Sequence, residues 1–163
     1  MKITIGGAGA MGSLFGGRLA QAGHDVLLYD IYREHVRAVN TNGLAIEDAA
    51  TGKTELCRPR ATSDPAETRG SNLLIVFVKS AATEEAARQF APLAGKEAIA
   101  LTLQNGLGNE RILRAQFGAE RTAAGVTSQG ATFLGPGRVR HAGRGPTHVG
   151  MSDRRNERLA PVV

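Results

Sequence analysis

Tryptophan is absent from this chain, cysteine occurs once, and Phe, Tyr and Trp together make only 4% of its 163 residues. A lone Cys57 excludes a disulfide framework and suits a reducing, cytoplasmic compartment. With the histidines scattered, it also offers no zinc-ligand spacing, and no metal is expected. Few aromatics leave few platforms on which unpaired bases could stack. The net charge of +5 gathers at the end of the chain, where Arg138, Arg140, Arg144, Arg154, Arg155 and Arg158 face only Asp153 and Glu157. That end reads as a solvated or partner-facing surface, and no nucleic-acid partner is expected. Long apolar runs are missing too. The uncharged stretch from Ile3 to Gly17 is shorter than the roughly 18 residues that span a bilayer. Glycines interrupt it, and it lacks the apolar h-region of a secretion signal. No membrane association is expected.

Glycine, by contrast, is abundant: 21 residues, nearly double the usual share of about 7%. Gly6, Gly7, Gly9, Gly12 and Gly16 crowd the first sixteen positions. A single domain spanning 1–163 is expected from the length, large enough to bury about 70% of its unfolded surface.

Short apolar runs alternate with helix-like stretches. "KITIG" reads as a strand and "AMGSLFGGRLAQAG" as a helix stopped by Gly23. "DVLLYD" is a second strand, followed by a helix over "IYREHVRAVNTNG". "LAIEDAATGKTELC" alternates about a Thr-Gly turn and predicts a hairpin. "NLLIVFVK" predicts a fully buried strand, and "SAATEEAARQFAPL" a helix that Ser80 or Thr83 would cap. "EAIALTLQ" and "GNERILRAQFG" repeat the strand–helix pair. Glycine-punctuated short runs over 121–150 predict a β-meander. The fold class is therefore α/β: a Rossmann-type, doubly wound, mainly parallel sheet with a hairpin insertion and a C-terminal meander.

In such sheets ligands lie beyond the carboxyl ends of the strands. After the first predicted strand comes Gly7-Ala8-Gly9-Ala10-Met11-Gly12, a G-x-G-x-x-G that opens a helix. This is the context a dinucleotide fingerprint requires. Gly7 permits the turn, Gly9 removes a side chain from the path of a pyrophosphate, and Gly12 permits close helix–strand packing. The competing reading is glycine used for packing alone. After the second strand, Asp30 can accept hydrogen bonds from ribose hydroxyls and repel a 2′-phosphate, which favours NAD. Its bland alternative is a helix cap, and Arg33 and Arg37 one and two turns on leave NADP open. Lys79 in "VFVKS" follows apolar residues that aim it at the crevice, although strand-end lysines are commonly surface residues. In "LTLQNGLGNE", helical spacing after Asn105 argues against an Asn-Gly hairpin and for a crossover loop that places an amide at the nicotinamide end. His24, His35, His141 and His148 follow no parallel strand and read as surface or turn residues.

"MKITIGGAGAMGS", "VFVKS", "LTLQNGLGNE", "GVTSQGA" and "VRHAGRGPTHVG" together resemble the amino-terminal domain of the 2-dehydropantoate 2-reductase (ketopantoate reductase) family, collinearly over nearly the whole chain. The resemblance implies reduction of a 2-oxo acid, 2-dehydropantoate to pantoate, by hydride from NADPH or NADH in pantothenate biosynthesis. It implies that residues 7–12 hold the pyrophosphate. It sets Lys79 and Asn105 beside the nicotinamide ribose and substrate, and Ala131 against the cofactor. NADPH-specific members carry an arginine at the end of the second strand, where this chain has Asp30-Ile31. The family's second, all-helical domain, source of the proton donor, is expected to lie outside these residues. The expected partner is a small-molecule 2-oxo acid, with a homodimer left open. Two other readings remain: a stand-alone NAD-binding module or sensor, and another two-domain NAD-dependent dehydrogenase.

Overall fold

The computed structural model describes residues 1–153; the final part of the expected domain, with Arg154, Arg155 and Arg158, lies outside the described residues. Strands β1 (Lys2–Gly6), β2 (Asp25–Tyr29), β5 (Arg60–Thr62), β6 (Leu73–Val76), β7 (Ile99–Thr102), β8 (Thr122–Thr127) and β11 (Thr147–Met151) build a seven-stranded sheet in the order β11-β8-β7-β6-β1-β2-β5. All neighbours are parallel except β8 and β11. Strand order reverses at β1, which has β2 on one side and β6 on the other.

Alternate side chains of the central strands go to opposite faces, as the pleat demands. Leu73 and Ile75 of β6 join Ile3, Ile5 and Leu28 beneath helix α1 (Ala10–Gln21). Leu74 and Val76 join Phe90 and Phe117 beneath α3 (Thr83–Phe90) and α4 (Asn109–Phe117). Burial on both faces explains why these strands read as unbroken apolar runs. Helix α2 (Arg33–Asn42) follows β2 and ends at Gly43, whose φ is +86°. No helix among the described residues is long and apolar enough to cross a membrane.

The expected hairpin forms as β3 (Leu44–Asp48) and β4 (Thr54–Cys57), antiparallel to each other. The terminal strands differ from a single meander. β9 (Gly130–Gly135) and β10 (Arg138–Gly143) form a hairpin that joins β3 and β4 in a second sheet, ordered β4-β3-β10-β9, with β10 parallel to β3. β8 and β11 extend the main sheet instead. A lone two-stranded hairpin is marginal in water. Here Ile46 and Val139 come together as fully buried residues and cover α1 from the side opposite the main sheet. Helix α1 is thus sandwiched between two sheets, an arrangement no local pattern specifies.

Two histidines depart from the surface reading. His35 is 1% exposed and His141 7%. The Gly137 N–H donates to His35 Nδ1 at 3.0 Å, so Nε2 carries the proton and faces Ser13 Oγ at 3.1 Å. Ser13 Oγ in turn donates to the Ala8 carbonyl at 2.7 Å. This chain of bonds joins the β9–β10 turn to the loop after β1, and gives a polar residue of an amphipathic helix its reason to point inward. His141 Nε2 pairs with Gln129 Oε1 at 2.7 Å. Burial holds both imidazoles below their ordinary value.

Asp48 accepts the Ala50 and Thr51 N–H groups in the β3–β4 turn and pairs with Arg144. Those bonds, the Arg144 one foremost, hold its carboxyl below the usual range. Burial pushes the Cys57 thiol up to about 11, so it behaves as a small apolar group packed beside Gly17.

Because both histidines are held below about 6.5, the folded chain binds fewer protons than the unfolded one as pH falls through that value. Their contribution is complete above pH 6.5 and is lost below it. Urea unfolding should therefore give a midpoint that drops between pH 7.5 and 5.5. His35→Gln should start lower at pH 7.5 and lose less over the same interval.

Candidate functional site

The chain turns sharply after β1. Gly7 has φ +96°, and a Cβ there would lie 2.7 Å from the Val78 nitrogen. The Gly7 and Ala8 N–H groups both donate to the Tyr29 carbonyl, at 2.9 and 3.2 Å. A Cβ at Gly12 would sit 1.9 Å from the Gly7 carbonyl oxygen, so α1 can start this close to the turn only with glycine. Both glycines are required by the protein's own packing.

Gly9 is different. A Cβ there would meet nothing within 4 Å, and its φ of −66° is open to any residue. It forms the N-terminal boundary of α1, with no side-chain cap and no acidic residue in the first turn. The N–H groups of Gly9, Ala10, Met11 and Gly12 find no acceptor among the described residues. The helix start is therefore an uncapped, positive end, from which Gly9 and Met11 line the neighbouring space.

That space is a crevice along the carboxyl ends of β1, β2, β6 and β7. One part, of about 530 Å³, is lined by Gly7, Gly9, Asp30, Ile31 and Phe77. The other, of about 340 Å³, is lined by Met11, Ser80, Gln104, Asn105, Thr127 and Gln129. The two meet at Phe77, Val78 and Lys79, which line both. Phe77 is held by the Phe15 ring of α1, 5.1 Å away between centroids.

Asp30 directly follows β2 and accepts the Tyr32 N–H at 2.8 Å through Oδ1. Its Oδ2 accepts no hydrogen bond among the described residues. The carboxylate therefore shapes the turn into α2 and still faces the crevice. Arg33 and Arg37 are exposed on α2 and do not line it. Ile31, 82% exposed, is an apolar residue on the same rim.

Lys79 is exposed, precedes the 3-10 turn Ser80–Ala82, and forms no ion pair among the described residues. Asn105 is exposed across the junction, in a loop whose Gly106 and Gly108 both have φ +95°. The crevice thus brings together residues 7, 9, 11, 30, 79 and 105 of the expected set. Ala131 stands apart: it lies in β9 opposite His141 and packs against the core. From "GVTSQGA", Thr127 and Gln129 line the crevice instead. They are the polar residues on the other side of that motif, and their type was the available signal.

The capping expected of Ser80 or Thr83 does not occur; α3 has no side-chain cap. Their hydroxyls bond across to the Asn105 segment, together with Gln104 and Asn109, which sequence reasoning passed over.

A strand-order reversal, a glycine turn and an uncapped helix end opening onto a bipartite crevice define a Rossmann-type dinucleotide-binding domain. The chain belongs to the ketopantoate reductase PanE/ApbA family, whose profile matches residues 3–154, and corresponds to its amino-terminal domain. Members of this family are NAD(P)-dependent oxidoreductases. The chain is 38% identical, over its whole length, to 54% of the 2-dehydropantoate 2-reductase of Halobacterium salinarum. It is 40% identical, over 99% of its length, to 52% of that of Pyrococcus horikoshii. It therefore spans about half the length of these curated relatives.

Among solved structures, D-mandelate dehydrogenase with NADH and anilino(oxo)acetate is similar at a TM-score of 0.88 and 32% identity, covering 99% of this chain and 52% of that one. A PanE/ApbA family ketopantoate reductase from Ralstonia eutropha is similar at 0.84 and 40%, covering 91% and 49%.

The two kinds of glycine should separate in stability measurements. Gly12→Ala should cost about 2 kcal/mol by urea denaturation, because its new methyl meets backbone that must shift. Gly9→Ala should stay within about 0.5 kcal/mol of the parent.

Proposed function

We propose that this chain supplies the nicotinamide-dinucleotide site of an enzyme that reduces the ketone of a 2-oxo acid, with 2-dehydropantoate to pantoate as the reaction family membership favours. The observation that carries this reading is Gly9. The protein's packing leaves room for a side chain there, beside a helix start whose first N–H groups have no acceptor among the described residues. A pyrophosphate fits that cradle in charge and in donor number. When bound, the dinucleotide would supply the hydride.

The chain's own residues would bind and orient. The N–H groups of Gly9 to Gly12 donate to the pyrophosphate, and Ala8 carries the turn between them and β1. Asp30 accepts from the adenosine ribose hydroxyls. At the other end, the Lys79 ammonium and the Asn105 amide donate to the nicotinamide ribose and to substrate oxygens. Thr127 and Gln129 take the contact that the resemblance assigns to Ala131. Orientation of this kind is a large part of catalysis between two bound reactants.

Reduction of a ketone also needs a proton for the developing alkoxide. Lys79 is the only basic residue lining the nicotinamide end among those described, and in this reading it serves binding. The general acid is assigned to the portion of the enzyme that this chain does not span.

Asp30 supports a second reading within the same chemistry: NADH as cofactor and a different 2-oxo acid as substrate. The similarity to D-mandelate dehydrogenase with NADH favours it as well.

Fluorescence titration tests cofactor choice. NADH should bind more tightly than NADPH by ~1–3 kcal/mol, the scale of a hydrogen bond to a charged group, and Asp30→Asn should narrow the gap. Equal binding of the two would shift recognition to Arg33 or Arg37. Gly9→Ala, folded as above, should weaken NADH by about tenfold through the blocked approach.

Steady-state assays test the division of labour. The 163-residue chain should turn over 2-oxo acids near background, since a positioned acid typically contributes about 10²–10⁴-fold. Turnover at roughly 1 s⁻¹ or above, ordinary for enzymes, would place an acid within this chain.

A further inference from the structure

Between the ends of β6 and β7 lies a buried polar cluster that the dinucleotide reading leaves unused. Gln104 donates through Nε2 to the Val78 carbonyl and, at 2.9 Å, to Thr83 Oγ1. Thr83 Oγ1 donates at 3.0 Å to Asn109 Oδ1. Asn109 Nδ2 donates to the Asn105 carbonyl at 3.1 Å and to Ser80 Oγ at 3.2 Å. Ser80 Oγ donates to the same Asn105 carbonyl at 3.1 Å. Thr83 is wholly buried and Asn109 is 4% exposed.

The direction of every bond is fixed by its ends. A backbone carbonyl only accepts, so Gln104 must present its NH₂ to Val78, which leaves Oε1 to accept from Thr102 Oγ1 at 3.0 Å. Thr83 accepts from that NH₂ and has one proton to give, which goes to Asn109 Oδ1. The Asn109 NH₂ is thereby turned toward the Asn105 carbonyl. One terminus of the relay is the residue before Lys79, and the other is Asn105 itself. Lys79 and Asn105 are exposed, and Asn105 sits in a loop with two left-handed glycines. Ser80 Oγ adds a direct, exposed tie between the same two segments, so the buried part of the link runs through Gln104, Thr83 and Asn109.

We propose that Gln104, Thr83 and Asn109 form a positioning clamp. It locks the Lys79 segment to the Asn105 loop, so that these two groups act on the nicotinamide half of the ligand as one preorganised unit. A role in folding alone is the competing explanation, and Thr83 separates the two. Thr83→Val keeps the shape and removes the hydroxyl, which strands a buried donor on Gln104 and an acceptor on Asn109. Thr83→Ser keeps the hydroxyl and loses only a methyl.

This inference rests on reading the crevice as a dinucleotide site, and the test compares NADH with ADP, which keeps the adenosine and pyrophosphate and lacks the nicotinamide and its ribose. Isothermal titration of the full chain should show NADH binding more tightly than ADP. Thr83→Val should weaken NADH by about tenfold while ADP stays within about twofold, and Thr83→Ser should restore the parent value. Unchanged NADH binding in Thr83→Val overturns the clamp. Parallel loss of both ligands also overturns it and marks the cluster as structural. If Thr83→Val does not fold, Thr83→Ala, which removes the same hydroxyl and leaves room for water to meet the stranded groups, carries the same comparison. A parent chain that binds neither ligand removes the dinucleotide reading and this proposal with it. A parent chain that binds both, with variants that do not discriminate, removes the clamp alone.

Discussion

The rest of this structure depends on one backbone crossing, where the turn after β1 passes between the start of α1 and the end of β6. A methyl group on Gly12 would reach 1.9 Å from the Gly7 oxygen, and one on Gly7 would reach 2.7 Å from the Val78 nitrogen. Two glycines let three backbone segments converge. That convergence sets the helix end, the strand-order reversal and the mouth of the crevice at one place. The Gly7 and Ala8 N–H groups, both on the Tyr29 carbonyl, tie in the end of β2, and with it Asp30. Cofactor selectivity, in the proposed reading, is thus set by a residue whose position follows from this crossing.

Hydrogen bonds spread that constraint outward in two directions. Through Ala8, Ser13, His35 and Gly137 the loop is fastened to the second sheet. Through Val78, Gln104, Thr83 and Asn109 the neighbouring strand end is fastened to the Asn105 loop. The first relay is buried and the second is half-buried at Gln104, and in both a backbone group fixes which side-chain atom donates. A partly satisfied network of this kind costs more than an apolar one. Its members are therefore held to their rotamers more strictly than surface polar residues.

In the proposed reading chemistry belongs at the ends of β6 and β7, and the two halves of the crevice are built differently. In the proposed reading, the adenosine end combines the glycine turn with the carboxylates of Asp30 and Glu85 and the apolar side chains of Ile31 and Ala86. The nicotinamide end is side chains on loops, with Lys79 and Asn105 exposed and braced from behind. An end made of loops needs such bracing, because glycines at Gly106 and Gly108 would otherwise leave the amide free to wander. The relatives' greater length is consistent with a site that this domain shapes from one side.

The sequence by itself determined the alternation of strands and helices, the double-faced burial of the central strands, and the glycine turn with Asp30, Lys79 and Asn105 at successive strand ends. Those features follow from local rules: hydrophobic period, glycine's freedom, and the geometry of parallel sheets. Only the tertiary structure decided that β9 and β10 leave the main sheet to pair with β3. A strand's alternation records which face is buried and says nothing of its neighbour. The same holds for His35 and Asn109, polar residues in helices whose inward orientation depends on a partner far along the chain. Ala131 and Gln129 differ in their access to the crevice because the chain bends between them toward a second sheet, and that bend is set by packing against α1.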